Sequence, residues 1–219
     1  LMIKGLLFDM DGVLVDSEDF ISRAAIEMFE EYGVHPVPED FKPFVGTGEN
    51  RYIGGVAEKY GLQLDIGKAK ARTYEIYETL VKGRLYALPG AQKFVRSAKD
   101  KAYKLALATS ADYIKMRINL KGIGLSENLF DAMVTGGDIE HKKPAPDIYL
   151  KAAQMIGCQP RECIVIEDAV SGVKAAKRAG SYCLALTTSF QAGDLNGADW
   201  IYEDLSKVPE DFLTKMQNN

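Results

Sequence analysis

Four short runs of apolar residues stand out along the chain: IKGLLF (3–8), KLALAT (104–109), CIVIED (163–168) and SYCLALTT (181–188). None alternates polar with apolar, and each gives way to polar or glycine-rich sequence, which is the pattern of strands covered on both faces. DAMVTGG (131–137) reads as a weaker fifth strand. Between these runs, helical spacing of apolar positions covers 90–101, 111–121, 146–156 and 169–179. Strands alternating with helices of this length predict parallel βαβ units, hence an α/β fold with a doubly wound parallel sheet.

One stretch breaks the alternation. Residues 18 to 85 carry only helical periodicity, in DFISRAAIEMFEEYG, ENRYIGGVAEKYG and IGKAKARTYEIYETLVKGR. The sequence therefore predicts a core of residues 1–16 and 86–219 with an inserted helical cap of residues 17–85. The chain crosses between them near Val15–Glu18 and again near Tyr86–Gly90, where Pro89 and Gly90 punctuate the join. Paired crossings of this kind suit a hinge for a lid.

Composition narrows the partners rather than the fold. With 27 basic and 31 acidic residues, a net charge of −4 and no basic cluster, the chain is not suited to nucleic acid or an anionic membrane surface. No segment reaches the roughly 18–20 apolar residues of a membrane span, and no cationic leader precedes an apolar run, so the expected setting is cytoplasmic. Leu1, ahead of Met2, reads as a cloning remnant. Cys158, Cys163 and Cys183 lack CxxC spacing and are expected as reduced core thiols. His35 and His141 have no evident partners in sequence and are expected at the surface. The partner that remains is a small charged metabolite, bound by a monomer.

Ligands of a parallel sheet gather beyond the carboxyl ends of its strands. The first strand ends at Asp9 and Asp11, the second at Thr109 and Ser110, and the fourth at Glu167 and Asp168; Lys143 lies in a turn before a helix. Asp9 and Asp11 are two apart, so an extended backbone would aim both carboxylates the same way. Four carboxylates at neighbouring strand ends repel one another and call for a hard divalent cation with oxygen ligands, for which Mg2+ is the natural choice. Lys143 and Thr109 in such an acidic place suit the oxygens of a phosphoryl group. Lys142 is the competing lysine; the Lys-Pro step favours Lys143. Gly12 suits a tight exit from the first strand, and Asp16 and Ser17 are assigned to the hinge and helix start, with Ser17 as N-cap.

These motifs, DMDGVLVDS, LALATSA, KKPAPDIY and IVIEDAVSGVKAAKRAG in that order, resemble the haloacid dehalogenase superfamily in its phosphatase and β-phosphoglucomutase-like branch, over the whole chain. The resemblance implies Asp9 as nucleophile forming an aspartyl phosphate, and Asp11 as general acid and base with its carbonyl on Mg2+. It implies Thr109, Ser110, Lys143 and the Gly12 region at the phosphoryl group, and Glu167 and Asp168 completing the metal site with Asp9 and Asp11. The paired Asp9 and Asp11 argue against a dehalogenase. Phosphomonoester hydrolysis is the first expectation and a phosphosugar mutase the alternative. A non-catalytic phosphate- or metal-binding regulator is disfavoured, since it would be expected to have lost Asp9, Asp11 or Lys143. Against the mutase stand Ile21, aligned with that family's cap histidine, and Ala111 and Asp112, aligned with its serine and lysine. Arg51 is the candidate for any distal anion, and the loop VGTGEN (45–50) for a segment reaching the substrate.

Overall fold

The computed structural model describes residues 2–44 and 48–218. Its centre is a six-stranded, wholly parallel sheet: β1 (Gly5–Phe8), β2 (Lys104–Ala108), β3 (Ala132–Val134), β4 (Cys163–Glu167), β5 (Tyr182–Leu186) and β6 (Trp200–Tyr202). The order across the sheet is β3-β2-β1-β4-β5-β6. All five predicted strands are present; β6 was not read from the sequence. It is three residues long, half-buried and at the sheet edge, so WIY carries no run long enough to register as a strand.

Alternate residues of the buried strands serve opposite faces. Leu6 and Phe8 of β1, Leu105 and Leu107 of β2, and Ile164 and Ile166 of β4 pack on one side with α5 (Ala91–Asp100) and α6 (Tyr113–Gly122). Leu7, Ala106, Ala108 and Val165 pack on the other against α7 (Asp147–Met155) and α8 (Val170–Ala179). This two-sided burial is why the strands read as continuous apolar runs. The C-terminal α9 (Phe212–Asn218) covers the first face, where the Tyr103 hydroxyl donates to the Leu213 carbonyl at 2.6 Å.

Between β1 and α5 the described chain is helical: α1 (Glu18–Glu30), α2 (Pro38–Phe41), α3 (Glu49–Lys59) and α4 (Ile66–Val81). The long pair α1 and α4 pack together, burying Tyr74 and Tyr77 of α4. The two crossings run side by side, with Val15 bridged to Ala87 and the Leu88 N–H donating to the Leu14 carbonyl at 2.9 Å. The three cysteines are free thiols, Cys163 and Cys183 buried and Cys158 half-buried. Both histidines are exposed, and each has an acidic neighbour after all: Glu30 at 3.8 Å from His35 and Asp147 at 3.0 Å from His141.

The sheet order places β1 between β2 and β4, where successive connections depart in opposite directions. The carboxyl ends of these three strands therefore open onto one crevice.

Candidate active site

That crevice is a pocket of about 390 Å³ between the strand ends and the helices that follow β1. Asp9, the residue after β1, is buried and accepts a hydrogen bond from Lys143 Nζ at 2.9 Å. The same ammonium lies 2.6 Å from Glu167 Oε1, so one buried lysine, its side chain 7% exposed, bridges the ends of β1 and β4. Lys142 turns away and donates to the Gly136 carbonyl. Of the two lysines, Lys143 is the one in the pocket.

Glu167 is fully buried and its carboxylate is saturated. Oε1 accepts from Lys143 and, at 2.7 Å, from the Tyr149 hydroxyl; Oε2 accepts the backbone N–H groups of Asp168 and Ala169 at 2.8 and 2.9 Å. Burial pushes its carboxyl up, yet Lys143 and these donors outweigh that and hold it below the ordinary range. Asp9 and Asp168 go the other way. Burial pushes Asp9 up to about 7 against the pull of Lys143, and burial with the charges of Glu167 and Asp9 pushes Asp168 up to about 8.

The backbone fits tightly around these acids. A Cβ on Gly12, whose φ is +78°, would fall 1.9 Å from Asp168 Oδ2, and one on Gly172 would fall 1.7 Å from Glu167 Oε1. Both glycines are required by close approach, Gly12 also by conformation.

The expected group of four carboxylates is corrected to three. Asp9, Glu167 and Asp168 each offer an oxygen within 4.8 Å of the others, but the Asp11 carboxylate is not among them. It accepts from Lys115 Nζ at 2.9 Å and from the Ser17 hydroxyl, while still lining the pocket. The two-residue rule fails because β1 ends at Phe8 and the chain then turns, with the Leu14 N–H bonded back to the Met10 carbonyl at 2.8 Å. The Ser17 reading also changes. Ser17 occupies the N-cap position of α1 but makes no capping bond; its hydroxyl is spent on Asp11.

The donor set fits a hard cation. Asp9 and Asp168 are desolvated carboxylates whose raised proton affinity marks unrelieved negative charge, and Glu167, saturated by protein donors, braces Lys143 beside them. Thr109 is 2% exposed, its hydroxyl oxygen accepting the Ala111 N–H at 3.1 Å; with Ser110 it lines the same pocket as Asp9.

Lys115 and Tyr52 line the pocket and escaped sequence reasoning. Lys115, on α6, is buried, and Asp11 and Glu49 hold its ammonium charged against the cost of burial. Its signal was only a lysine on the inner face of a helix. Tyr52 donates to Glu18 at 3.2 Å within the helical segment. Glu49 is buried and burial pushes its carboxyl up to about 7, against Lys115. Arg51, the candidate for a distal anion, instead pairs with Glu58 at 2.8 Å and lies over the Phe44 ring. Of the loop VGTGEN, Gly48 and Glu49 line the pocket, while residues 45–47, including Thr47, lie outside the described residues.

Residues 6–186 match the family model described as haloacid dehalogenase-like hydrolase. The chain belongs to the haloacid dehalogenase-like hydrolases. This hydrolase is 44% identical over 97% of its length to Protein SUPPRESSOR OF QUENCHING 1, chloroplastic, of Arabidopsis thaliana, and spans about a fifth (21%) of that longer protein. It is 34% identical to the phosphorylated carbohydrates phosphatase of Thermotoga maritima, covering 81% of its own chain and 82% of that one. Among solved structures, a mutant of CbbY from Rhodobacter sphaeroides in complex with xylulose-(1,5)bisphosphate superposes with a TM-score of 0.84 at 26% identity, over 94% of this hydrolase and 96% of that chain. No helix among the described residues is long and apolar enough to cross a membrane.

Proposed function

We propose that the chain is a Mg2+-dependent phosphomonoester hydrolase acting on small phosphorylated metabolites of the sugar-phosphate kind, through an aspartyl phosphate on Asp9. The observation that carries this reading is Asp9 itself, a buried carboxylate at the switch point of the sheet, held by a buried lysine next to two further acids. Membership of a hydrolase family and a relative named for phosphorylated carbohydrates support it.

An Asp9 oxygen attacks phosphorus in line with the ester bond, and the leaving alkoxide takes a proton from Asp11. Water, its proton drawn off by Asp11, then attacks the same phosphorus and frees Asp9. Lys143, Thr109, Ser110 and the backbone near Gly12 hold the phosphoryl oxygens as charge moves onto them. Lys143 also fixes the rotamer of Asp9, since its ammonium is anchored on Glu167. Mg2+ would be held by Asp9 and Asp168 with the Asp11 carbonyl, Glu167 standing behind them, and when bound supplies charge neutralisation at the phosphoryl group. Residues 17–85 act as a cap that closes over the pocket about the paired strands at Val15 and Ala87. Ile21, 3% exposed in the pocket wall, offers no proton to a second chemical step, which favours hydrolysis over a mutase.

The test is hydrolysis of para-nitrophenyl phosphate with and without Mg2+, by the wild type and by Asp9→Asn and Asp11→Asn. Turnover is expected only with the metal, to vanish in Asp9→Asn and to fall by roughly 10² to 10⁴ in Asp11→Asn. Full turnover by Asp9→Asn would refute the reading.

A further inference from the structure

Glu49, the first residue of α3, is the least satisfied group in the pocket. It is only 8% exposed and lines the cavity from the helical side. Its Oε2 has no hydrogen-bond partner among the described residues, a costly state for a buried carboxylate oxygen. An unpaired acceptor facing a substrate cavity is an acceptor kept for a ligand's donor.

The charges around it decide the kind of donor. Among the described residues lining the pocket the only cations are Lys143 and Lys115. Lys143 is already paired with Asp9 and Glu167, and Lys115 with Asp11, so neither presents uncompensated positive charge to a second anion. Asp16 and Glu18 add further negative charge to the pocket wall. A leaving group bearing another phosphate would meet carboxylates; one bearing hydroxyls would meet an open acceptor, with the remaining N–H groups of Lys115 as donors.

We propose that Glu49 is the specificity-determining residue of this pocket: its Oε2 accepts a hydroxyl of an uncharged, polyhydroxylated leaving group, and the acids around it turn away bisphosphates. This rests on the phosphatase reading and narrows its substrate class to monophosphates of sugars and polyols. It also sets the chain apart from the CbbY mutant solved with a sugar bisphosphate.

The experiment compares kcat/KM for glucitol 6-phosphate, fructose 6-phosphate, fructose 1,6-bisphosphate and para-nitrophenyl phosphate, which has no hydroxyls to recognise. It uses the wild type, Glu49→Ala and Glu49→Gln. In the wild type the better hexose or hexitol monophosphate is expected to exceed the bisphosphate by at least about tenfold. The ratio of kcat/KM for that monophosphate to kcat/KM for the aryl phosphate is expected to fall more than about fivefold in Glu49→Ala. It is expected to fall less in Glu49→Gln, whose amide oxygen still accepts. A smaller fall in Glu49→Ala, equal falls in both variants, or a wild type that prefers the bisphosphate overturns the proposal, because a residue that only braces α3 would lower every substrate alike. A wild type inert toward every phosphomonoester is a separate result: it removes the phosphatase reading, and this proposal with it.

Discussion

Lys143 joins two buried carboxylates, with Nζ–O distances of 2.9 Å to Asp9 and 2.6 Å to Glu167. Removing one member of such a group leaves the others charged and unpaired, which costs far more than the intact arrangement contributes. Lys143→Met is therefore expected to lower unfolding free energy in metal-free buffer by on the order of 3 kcal/mol, measured by urea denaturation; a loss below about 1 kcal/mol would mean that Lys143 behaves as a surface ion pair. At this scale the sequence was informative wherever a residue's place follows from a strand end. Asp9, Thr109, Ser110, Glu167, Asp168 and Lys143 all line one pocket, as their positions predicted. It was silent about Lys115, which reaches the pocket from a helix whose facing depends on tertiary packing. It also misdirected Asp11, because the choice between the acid cluster and Lys115 is made by a turn and by a partner 104 residues away.

Among the elements, the helices after β1 are tied together by Asp40. This buried residue of α2 accepts from the Val37 N–H at 3.0 Å and from the Tyr60 hydroxyl at 2.6 Å, and it pairs with Lys59 of α3. The bond from Lys59, then those from Tyr60 and Val37, hold its carboxyl at about 2, below the ordinary value of 3.8. A depressed carboxyl stabilises the fold above its unfolded value, and that stability drains away as pH falls from about 4 towards about 2. Asp40→Asn is expected to lower the melting temperature at neutral pH, with the gap to wild type closing across that acid window. Thermal denaturation from pH 7 to pH 2 would show it, and a gap that stays constant or widens would exclude Asp40 as the acid-sensitive tie. Element types were readable because period 2, period 3.6 and continuous apolar runs each report a different burial. The edge strand β6 was not, since three half-buried residues report none of these.

Across the whole molecule, the balance of charge in the site links metal, pH and stability. Burial raises Asp9 to about 7 and Asp168 to about 8, so the metal-free fold must either keep protons there or bear unneutralised charge. The unfolded chain ionises these groups near pH 4, and they therefore erode stability as pH climbs from there to their folded values. A cation competes with those protons and gains as they leave. Saturating Mg2+ is expected to raise the melting temperature more at pH 8 than at pH 6; an equal or larger rise at pH 6 would place the ion away from Asp9 and Asp168. The doubly wound sheet and the helical stretch between β1 and α5 were visible in the order of the runs, because βαβ units leave little topological freedom. The two crossings were placed as well, but the bridge that joins them, from Val15 to Ala87, was not, being a contact between segments more than 70 residues apart.

The central claim is a covalent bond between Asp9 and phosphorus. The most direct measurement is an acid quench during turnover of a 32P-labelled sugar monophosphate with Mg2+, followed by peptide mapping with and without hydroxylamine. Hydroxylamine-labile label is expected on the peptide that contains Asp9, and none in Asp9→Asn. Label on another residue, or rapid turnover with no labelled protein at any quench time, would contradict it.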